Sequence, residues 1–262
     1  MEVIIRPDAA AAGCLVARIM AKEIRANPHS VLGLATGRTM EIVYQYLVDL
    51  HQRERLDFSL CRSFNLDEYV GVAPDDFHSY RYYMNDRLFK KVNIDLRNTY
   101  LPNGLALDLD AECRLYEDQI RKFGGIDLQL LGIGRDGHIG FNEPLSALQS
   151  RTRMKALTPE TITQNSSFFG GPDKVPRRAI TMGVGTILEC RRCILFATGA
   201  EKAGILAKAV EGPITAMISA TALQLHRRCT VVVDEAAAQQ LAHSEYYRWI
   251  FHNEPEWSEF QE

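Results

Sequence analysis

The chain has 262 residues, 46% of them hydrophobic and 24% charged, with a formal charge of −3. This length and apolar share can bury a large α/β core, and the near-neutral charge, with no Lys/Arg block, excludes a surface that tracks a phosphodiester backbone, so no nucleic-acid partner is expected. No stretch reaches the ~20 apolar residues that cross a bilayer, and Met1-Glu2-Val3-Ile4-Ile5-Arg6-Pro7 has no basic segment ahead of an apolar run; no membrane partner is expected, and the cytoplasm is the expected location.

In chain order, apolar runs that read as buried strands alternate with helical patterns. Strands are predicted at Val3–Ile5, Val31–Ala35, Cys61–Asn65, Leu128–Gly132, Arg153–Ala156, Cys193–Ala197 and Thr230–Val233. Helices are predicted at Ala9–Ala26, Glu41–His51, Ser79–Leu88, Asp110–Phe123, Lys202–Val210 and Ala236–His252, with Gly124-Gly125 stopping the fourth. The segment Thr158–Pro176, rich in Thr, Ser, Asn, Gly and Pro, reads as irregular and as a candidate flap. The alternation predicts an α/β fold, a three-layer Rossmann-like sandwich with a mostly parallel central sheet, in one domain spanning residues 1–262.

Six cysteines are scattered and are expected to be free thiols in a reducing compartment. Cys190 and Cys193 form a C-x-x-C, but it leads into Ile194-Leu195-Phe196-Ala197 rather than opening a helix, and no second ligand pair marks a zinc site. No metal and no cofactor are expected.

The run Leu130-Leu131-Gly132-Ile133-Gly134-Arg135-Asp136-Gly137-His138-Ile139-Gly140-Phe141-Asn142-Glu143-Pro144 sets Asp136, His138 and Glu143 on one loop after an apolar strand. Ligands bind beyond the carboxyl ends of such strands, where three titratable groups within eight positions can act on one substrate by acid–base chemistry. Ile139 and Phe141, set between the polar residues, argue against a merely solvated loop. Thr36-Gly37-Arg38-Thr39, between a strand and a helix, offers backbone N–H groups and a helix dipole to a phosphate, though it is neither a Walker loop nor a G-x-G-x-x-G. Asp67, in Asn65-Leu66-Asp67-Glu68-Tyr69, follows another strand and is a candidate carbon base, while the adjacent Glu68 points to the opposite face. Lys202, after a third strand, is a candidate phosphate cation.

Together, Thr36-Gly37-x-Thr39, Asn65-Leu66-Asp67-Glu68-Tyr69-Val70-Gly71 and Gly134-x-Asp136-Gly137-His138-Ile139-Gly140-Phe141-Asn142-Glu143-Pro144 resemble the glucosamine-6-phosphate deaminase (isomerising) family. Ser150-Arg151-Thr152-Arg153, Val184-Gly185-Thr186 and Ala209-Val210-Glu211-Gly212 extend the resemblance over nearly the whole chain. It implies the fold shared with sugar-phosphate isomerases and 6-phosphogluconolactonases, and conversion of glucosamine 6-phosphate and water to fructose 6-phosphate and ammonia without a metal. On that reading His138, balanced by Asp136 and Glu143, opens the sugar ring, Asp67 moves a proton from C2 to C1, and Thr36, Gly37, Arg38, Thr39 and Lys202 hold the phosphate.

Three positions depart from the family pattern: Arg38 stands where many members have a small residue, Met40 where they have a proline, and Ser167 where well-known deaminases carry a phosphate-binding arginine. Arg38 is expected to supply the missing charge. The exchange leaves open galactosamine 6-phosphate as the sugar or a phosphosugar sensor without turnover, and the shared fold with its Asp-Gly-His loop leaves open a lactonase-type hydrolase. The resemblance also implies a homo-oligomer, a hexamer or smaller, with an allosteric site for N-acetylglucosamine 6-phosphate formed in part by Ser146, Arg153 and Lys155.

Overall fold

The structure is a computed structural model describing residues 1–261. Its strands are β1 (Glu2–Arg6), β2 (Val31–Leu34), β3 (Arg62–Asn65), β4 (Asp67–Tyr69), β5 (Thr99–Tyr100), β6 (Leu128–Leu131), β7 (Arg153–Ala156), β8 (Arg178–Thr181), β9 (Arg192–Ala197) and β10 (Cys229–Asp234). The helices are α1 (Ala9–Ala26), α2 (Arg38–Glu54), α3 (Tyr80–Met84), α4 (Leu109–Lys122), α5 (Pro159–Phe169), α6 (Val184–Leu188), α7 (Ala203–Glu211), α8 (Glu235–Ala238) and α9 (Ser244–Asn253).

Among the described residues, seven strands form one parallel sheet in the order β1-β10-β9-β6-β2-β3-β5, flanked by helices. Its inner strands read as continuous apolar runs because both faces are covered, and Ile194–Phe196 and Val231–Val233 are buried in one core with Leu15, Val16 and Ile19 of α1. After β2 the chain adds β3 and β5 on one side, then returns to the other side of β2 with β6. The crevice at the carboxyl ends of β2 and β6 is therefore the topological switch point, where open α/β sheets bind ligands.

A second, antiparallel sheet of order β4-β8-β7 adjoins this end. The chain passes from the large sheet to the small one within two residues, Asn65 closing β3 and Asp67 opening β4. Leu66 between them donates its N–H to Leu34 and accepts from Met182 N at 2.7 Å. A separate apolar cluster of Tyr69, Phe141, Leu157, Ile162, Phe169, Val175 and Ala179 supports the small sheet.

Three sequence expectations change. Thr158–Pro176 is no irregular flap: most of it is α5, with Thr158 as N-cap, Pro159 in the first turn and Gly170 in left-handed conformation at its end. Ile162 and Phe169 anchor that helix in the small core, overriding the weak helix propensity of its Thr, Ser and Asn residues. The helix expected over Ala236–His252 is broken into α8 and α9, because Glu211 accepts the N–H groups of Ala242 (2.9 Å) and His243 (3.1 Å) and draws that turn out of the helix. The helix expected over Ser79–Leu88 begins at its Ser79 cap but widens to π-helical turns over Asn85–Phe89. β7, found where expected, belongs to the antiparallel sheet, and β4, β5 and β8 were not predicted.

One carboxylate ties the small sheet to its surroundings. Glu117 on α4 accepts from Thr152 N (2.8 Å), Thr152 Oγ1 (2.6 Å) and Thr186 Oγ1 (2.6 Å), and it pairs with Arg151 at 2.5 Å. Burial opposes its ionisation, yet the threonine and arginine donors hold its pKa below the ordinary carboxylate value. Glu117→Ala strands these buried donors and is expected to cost about 2–4 kcal/mol in urea denaturation; a loss below about 0.5 kcal/mol would show that the cluster is not a structural tie.

Candidate active site

Four loops meet at the carboxyl edge of the parallel sheet: those after β2, β3, β6 and β9. The loop after β6 is shaped by its glycines. A side chain at Gly134 would put Cβ 2.3 Å from the His138 ring, and Gly140, at φ +58°, lies where a Cβ would come 2.9 Å from Thr181 Oγ1 and 3.4 Å from Asp67 Oδ2. Asn142 holds the loop's far side by donating to Ile139 O and Met182 O, both at 2.8 Å, and Phe141 N donates to Thr181 Oγ1 at 3.0 Å.

This loop brings the expected triad together. His138 Nδ1 lies 2.6 Å from Asp136 Oδ1 and 3.4 Å from Glu143 Oε2. The angles of both contacts fall short of hydrogen-bond geometry, so they are charge contacts; the backbone N–H of His138 also donates to Asp136 Oδ1 at 3.1 Å. Burial would strip the proton from this imidazole, but the two carboxylates outweigh burial and raise it to about 9. Burial likewise opposes the charge on Asp136, and the imidazolium reverses that effect, lowering its carboxyl to about 2. Glu143 is oriented by Thr161 Oγ1 (2.7 Å) and Thr158 N (3.3 Å), both at the start of α5.

Asp67 is buried at the first position of β4. Burial, reinforced by Glu68 and opposed by His138, raises its carboxyl to about 8. Glu68 faces the other way, as strand alternation predicts, and accepts the N–H groups of Tyr69 (2.9 Å), Tyr80 (3.0 Å) and Arg81 (3.0 Å). It fixes β4 against α3 and leaves Asp67 alone on the crevice side.

The phosphate candidates divide into a turn and a lysine. Gly37, at φ +114°, starts α2 with no side-chain cap, so the first-turn N–H groups keep their positive end toward the crevice. The Gly37 carbonyl accepts from Tyr83 Oη at 2.8 Å, Thr36 and Thr39 are half-buried, and Arg38 is exposed. The half-buried Lys202 donates to Ile133 O at 2.8 Å, which ties the β9 loop to the β6 loop; burial lowers its pKa, with Glu201, Arg135 and Asp136 as charged neighbours. Ser167 is exposed on α5. Among the allosteric candidates, Arg153 donates to Ser146 Oγ at 3.2 Å and to Asn142 Oδ1 at 2.7 Å, while Lys155 lies half-buried two positions along β7.

Sequence reasoning missed three residues. Thr161 orients Glu143, but it lies in the segment read as irregular. Glu68 was recognised as facing away, though not as the acceptor that fixes β4. Arg135 is exposed beside Lys202 and lines a cleft with Pro159, Glu160, Thr163 and Gln164; its only sequence signal was its place inside the Gly-rich loop.

Asp136, His138 and Glu143 bring their donor atoms within 4.8 Å of one another, a set that would also suit a divalent cation. An imidazole that keeps its proton to about pH 9 competes with a metal for the same electron pair. NMR titration of His138 is expected to give a midpoint near 9, falling by more than one unit in Asp136→Asn; a wild-type midpoint below 7 would show that the carboxylates do not hold the imidazolium.

The model of the glucosamine-6-phosphate isomerases/6-phosphogluconolactonase family matches residues 8–232. Proteins described as glucosamine-6-phosphate deaminases are 49% identical over 250 residues in Cellvibrio japonicus, covering 95% of each chain, and 47% identical over 257 residues in an Arthrobacter species, covering 98% of this chain and 99% of that one. A solved structure described as a monomeric glucosamine-6-phosphate deaminase superposes with a TM-score of 0.90 at 44% identity, over 92% of this chain and all of that one. A 6-phosphogluconolactonase from Trypanosoma brucei, at 20% identity and a TM-score of 0.74, shares the fold. With its switch-point crevice, its Asp-Gly-His loop and these full-length similarities, the chain belongs to the glucosamine-6-phosphate isomerase/6-phosphogluconolactonase family.

Proposed function

We propose that the chain is an isomerising deaminase that converts glucosamine 6-phosphate and water to fructose 6-phosphate and ammonia. The observation that carries this reading is the placement of Asp67, a buried carboxyl with raised pKa, in the same crevice as the charged Asp136–His138–Glu143 cluster. Relatives described as glucosamine-6-phosphate deaminases, similar over nearly the whole chain, support it.

The C2 proton becomes acidic only once the pyranose has opened. The imidazolium of His138 gives a proton to the ring oxygen and, once neutral, takes the anomeric hydroxyl proton, and the flanking carboxylates stabilise the imidazolium that is restored. Ionised Asp67 then removes the C2 proton from the open-chain 2-amino aldehyde and returns it to C1 of the resulting enolamine, and water adds to the C2 imine so formed and displaces the nitrogen as ammonia. A carboxylate with a raised pKa is the stronger base for carbon. The N-terminal turn of α2, Arg38 and Lys202 hold the phosphate, which fixes the far end of the sugar while the proton moves. Arg38 supplies from α2 the charge that Ser167 lacks on α5.

This chemistry requires Asp67 ionised and His138 protonated. The base form of Asp67 accumulates as pH rises toward about 8, and the acid form of His138 is lost as pH passes about 9. A bell-shaped kcat/KM with its maximum between about 8 and 9 is therefore expected, and a maximum below pH 6 would contradict the assignment. Asp67→Asn is expected to lower ammonia release by a factor on the order of 10³ or more with phosphosugar binding retained. Arg38→Ala is expected to raise KM about tenfold or more with little change in kcat, since it removes uniform binding; an unchanged KM would remove Arg38 from the phosphate site. Galactosamine 6-phosphate run beside glucosamine 6-phosphate tests the sugar.

Ser146, Arg153 and Lys155 are proposed as effector ligands on the family resemblance, supported by the adjacency of Arg153 and Ser146. That role needs a homo-oligomer, whereas one similar solved structure is described as monomeric. A sigmoidal substrate curve made hyperbolic by N-acetylglucosamine 6-phosphate, from an oligomer in sedimentation, is the expected result; a monomer with a hyperbolic curve insensitive to that sugar would remove both proposals.

A further inference from the structure

At the end of the parallel sheet opposite the crevice, the turn between α6 and β9 carries Cys190, the start of β9 carries Cys193, and the turn entering β10 carries His226. The Cys190 and Cys193 sulfurs are 3.1 Å apart, and His226 Nε2 lies 3.5 Å from the Cys190 sulfur. The mechanism above makes no use of this cluster.

We propose that Cys190 and Cys193 form a reversible dithiol/disulfide site for low-molecular-weight disulfides, with Cys190 as the attacking thiol, Cys193 as the resolving thiol and His226 as the N–H donor that favours Cys190 as thiolate. The two sulfurs have different surroundings. Cys190 retains 6% of its surface and Cys193 none, so an incoming disulfide meets Cys190 first. The Cys193 thiol, followed by the His226 ring, favours the charged form of Cys190 and lowers it to about 6, while burial pushes the Cys193 thiol up. A slightly exposed, acidic thiol beside a fully buried, weakly acidic one is the arrangement in which attack and resolution proceed in order. The neighbouring arginines are engaged elsewhere, Arg191 with Asp127 at 2.8 Å and Arg192 with Glu256 at 3.4 Å, and His226 is the group directed at the Cys190 sulfur.

The step balances without a further reactant. The Cys190 thiolate attacks a disulfide RSSR, forming a mixed disulfide and releasing RS⁻. Cys193, its proton passing to solvent, then attacks the Cys190 sulfur, closing the Cys190–Cys193 bond and releasing a second RS⁻. The protein loses two electrons and RSSR gains them.

The same three side chains form a thiol-thiol-imidazole set with donor atoms within 4.8 Å of one another, and a zinc site is the rival reading. The geometry favours the disulfide. Both ring nitrogens of His226 are engaged, Nδ1 accepting from Arg228 N at 3.1 Å and Nε2 facing the Cys190 carbonyl at 2.8 Å, so neither offers a free electron pair. The sulfurs, already in contact, would have to part to about 3.8 Å to flank a tetrahedral zinc with ~2.3 Å Zn–S bonds. Cys229 is paired in register with Cys193 on β10, but it is not among the donors that converge.

The test equilibrates the full chain in glutathione buffers from reducing to oxidising, traps free thiols by alkylation and maps the cysteines by mass spectrometry. The expected result is a loss of two hydrogens on the peptides bearing Cys190 and Cys193, reversed by dithiothreitol, while the half-exposed Cys14 gives at most a glutathione adduct. Cys193→Ser is expected to trap a glutathione adduct on Cys190, and His226→Gln to slow wild-type disulfide formation at pH 7 by about tenfold or more. Two results overturn the proposal: both thiols alkylated in oxidising buffer while Cys14 is glutathionylated, or protein purified under reducing conditions that holds one equivalent of zinc released only when Cys190 and Cys193 are modified. The mass shift in the unmutated chain decides even if a variant fails to fold.

Discussion

The site depends on one buried charge arrangement, an imidazolium held between two carboxylates on a loop whose glycines leave room for little else. His138 loses solvation on burial and recovers more from Asp136 and Glu143 than it loses, so it stays charged where an isolated buried histidine would be neutral. The loop's backbone is set by Gly134, which leaves space for the ring, and by Gly140, which leaves space beside Asp67. The triad's shape, its charge state and its closeness to the carbon base all follow from that backbone path.

The surrounding fold brings two sheets to this point. The parallel sheet supplies the switch-point crevice and three loop ends, and the antiparallel sheet supplies Asp67 on its first residue and the floor against which the Asp-Gly-His loop closes. Burial acts in opposite senses on the two key groups. With its like-charged neighbour Glu68, it raises Asp67 toward the range where a carboxylate is a stronger base, and it is overcome at His138 by opposite charges. One crevice thus holds an acid and a base whose working ranges overlap just above neutrality.

Much of this was legible in the sequence, for identifiable reasons. Strands β2, β6, β9 and β10 are buried on both faces and declare themselves as largely apolar runs, broken in β6 only by the buried Gln129, and the residues that follow β2, β3, β6 and β9 are the polar and glycine-rich stretches that form the crevice. What was not legible depended on partners distant in the chain. α5 looked irregular because its Thr, Ser and Asn residues are weak helix formers, and only its caps and the burial of Ile162 and Phe169 make it a helix. Its consequence for the site, Thr161 holding Glu143, was hidden with it. β4 and β8 are short and pair only with each other and β7, so periodicity could not show them. The break between α8 and α9 comes from Glu211, some thirty residues upstream.

The central claim is that a single buried carboxyl, Asp67, carries a proton from C2 to C1 of an opened phosphosugar. The most direct measurement is turnover of glucosamine 6-phosphate carrying deuterium at C2, with the label in fructose 6-phosphate located by NMR. The account predicts deuterium at C1 of the product, because a carboxyl shielded from water returns part of what it removes. Label lost wholly to solvent, with C1 protonated only from water, would contradict it.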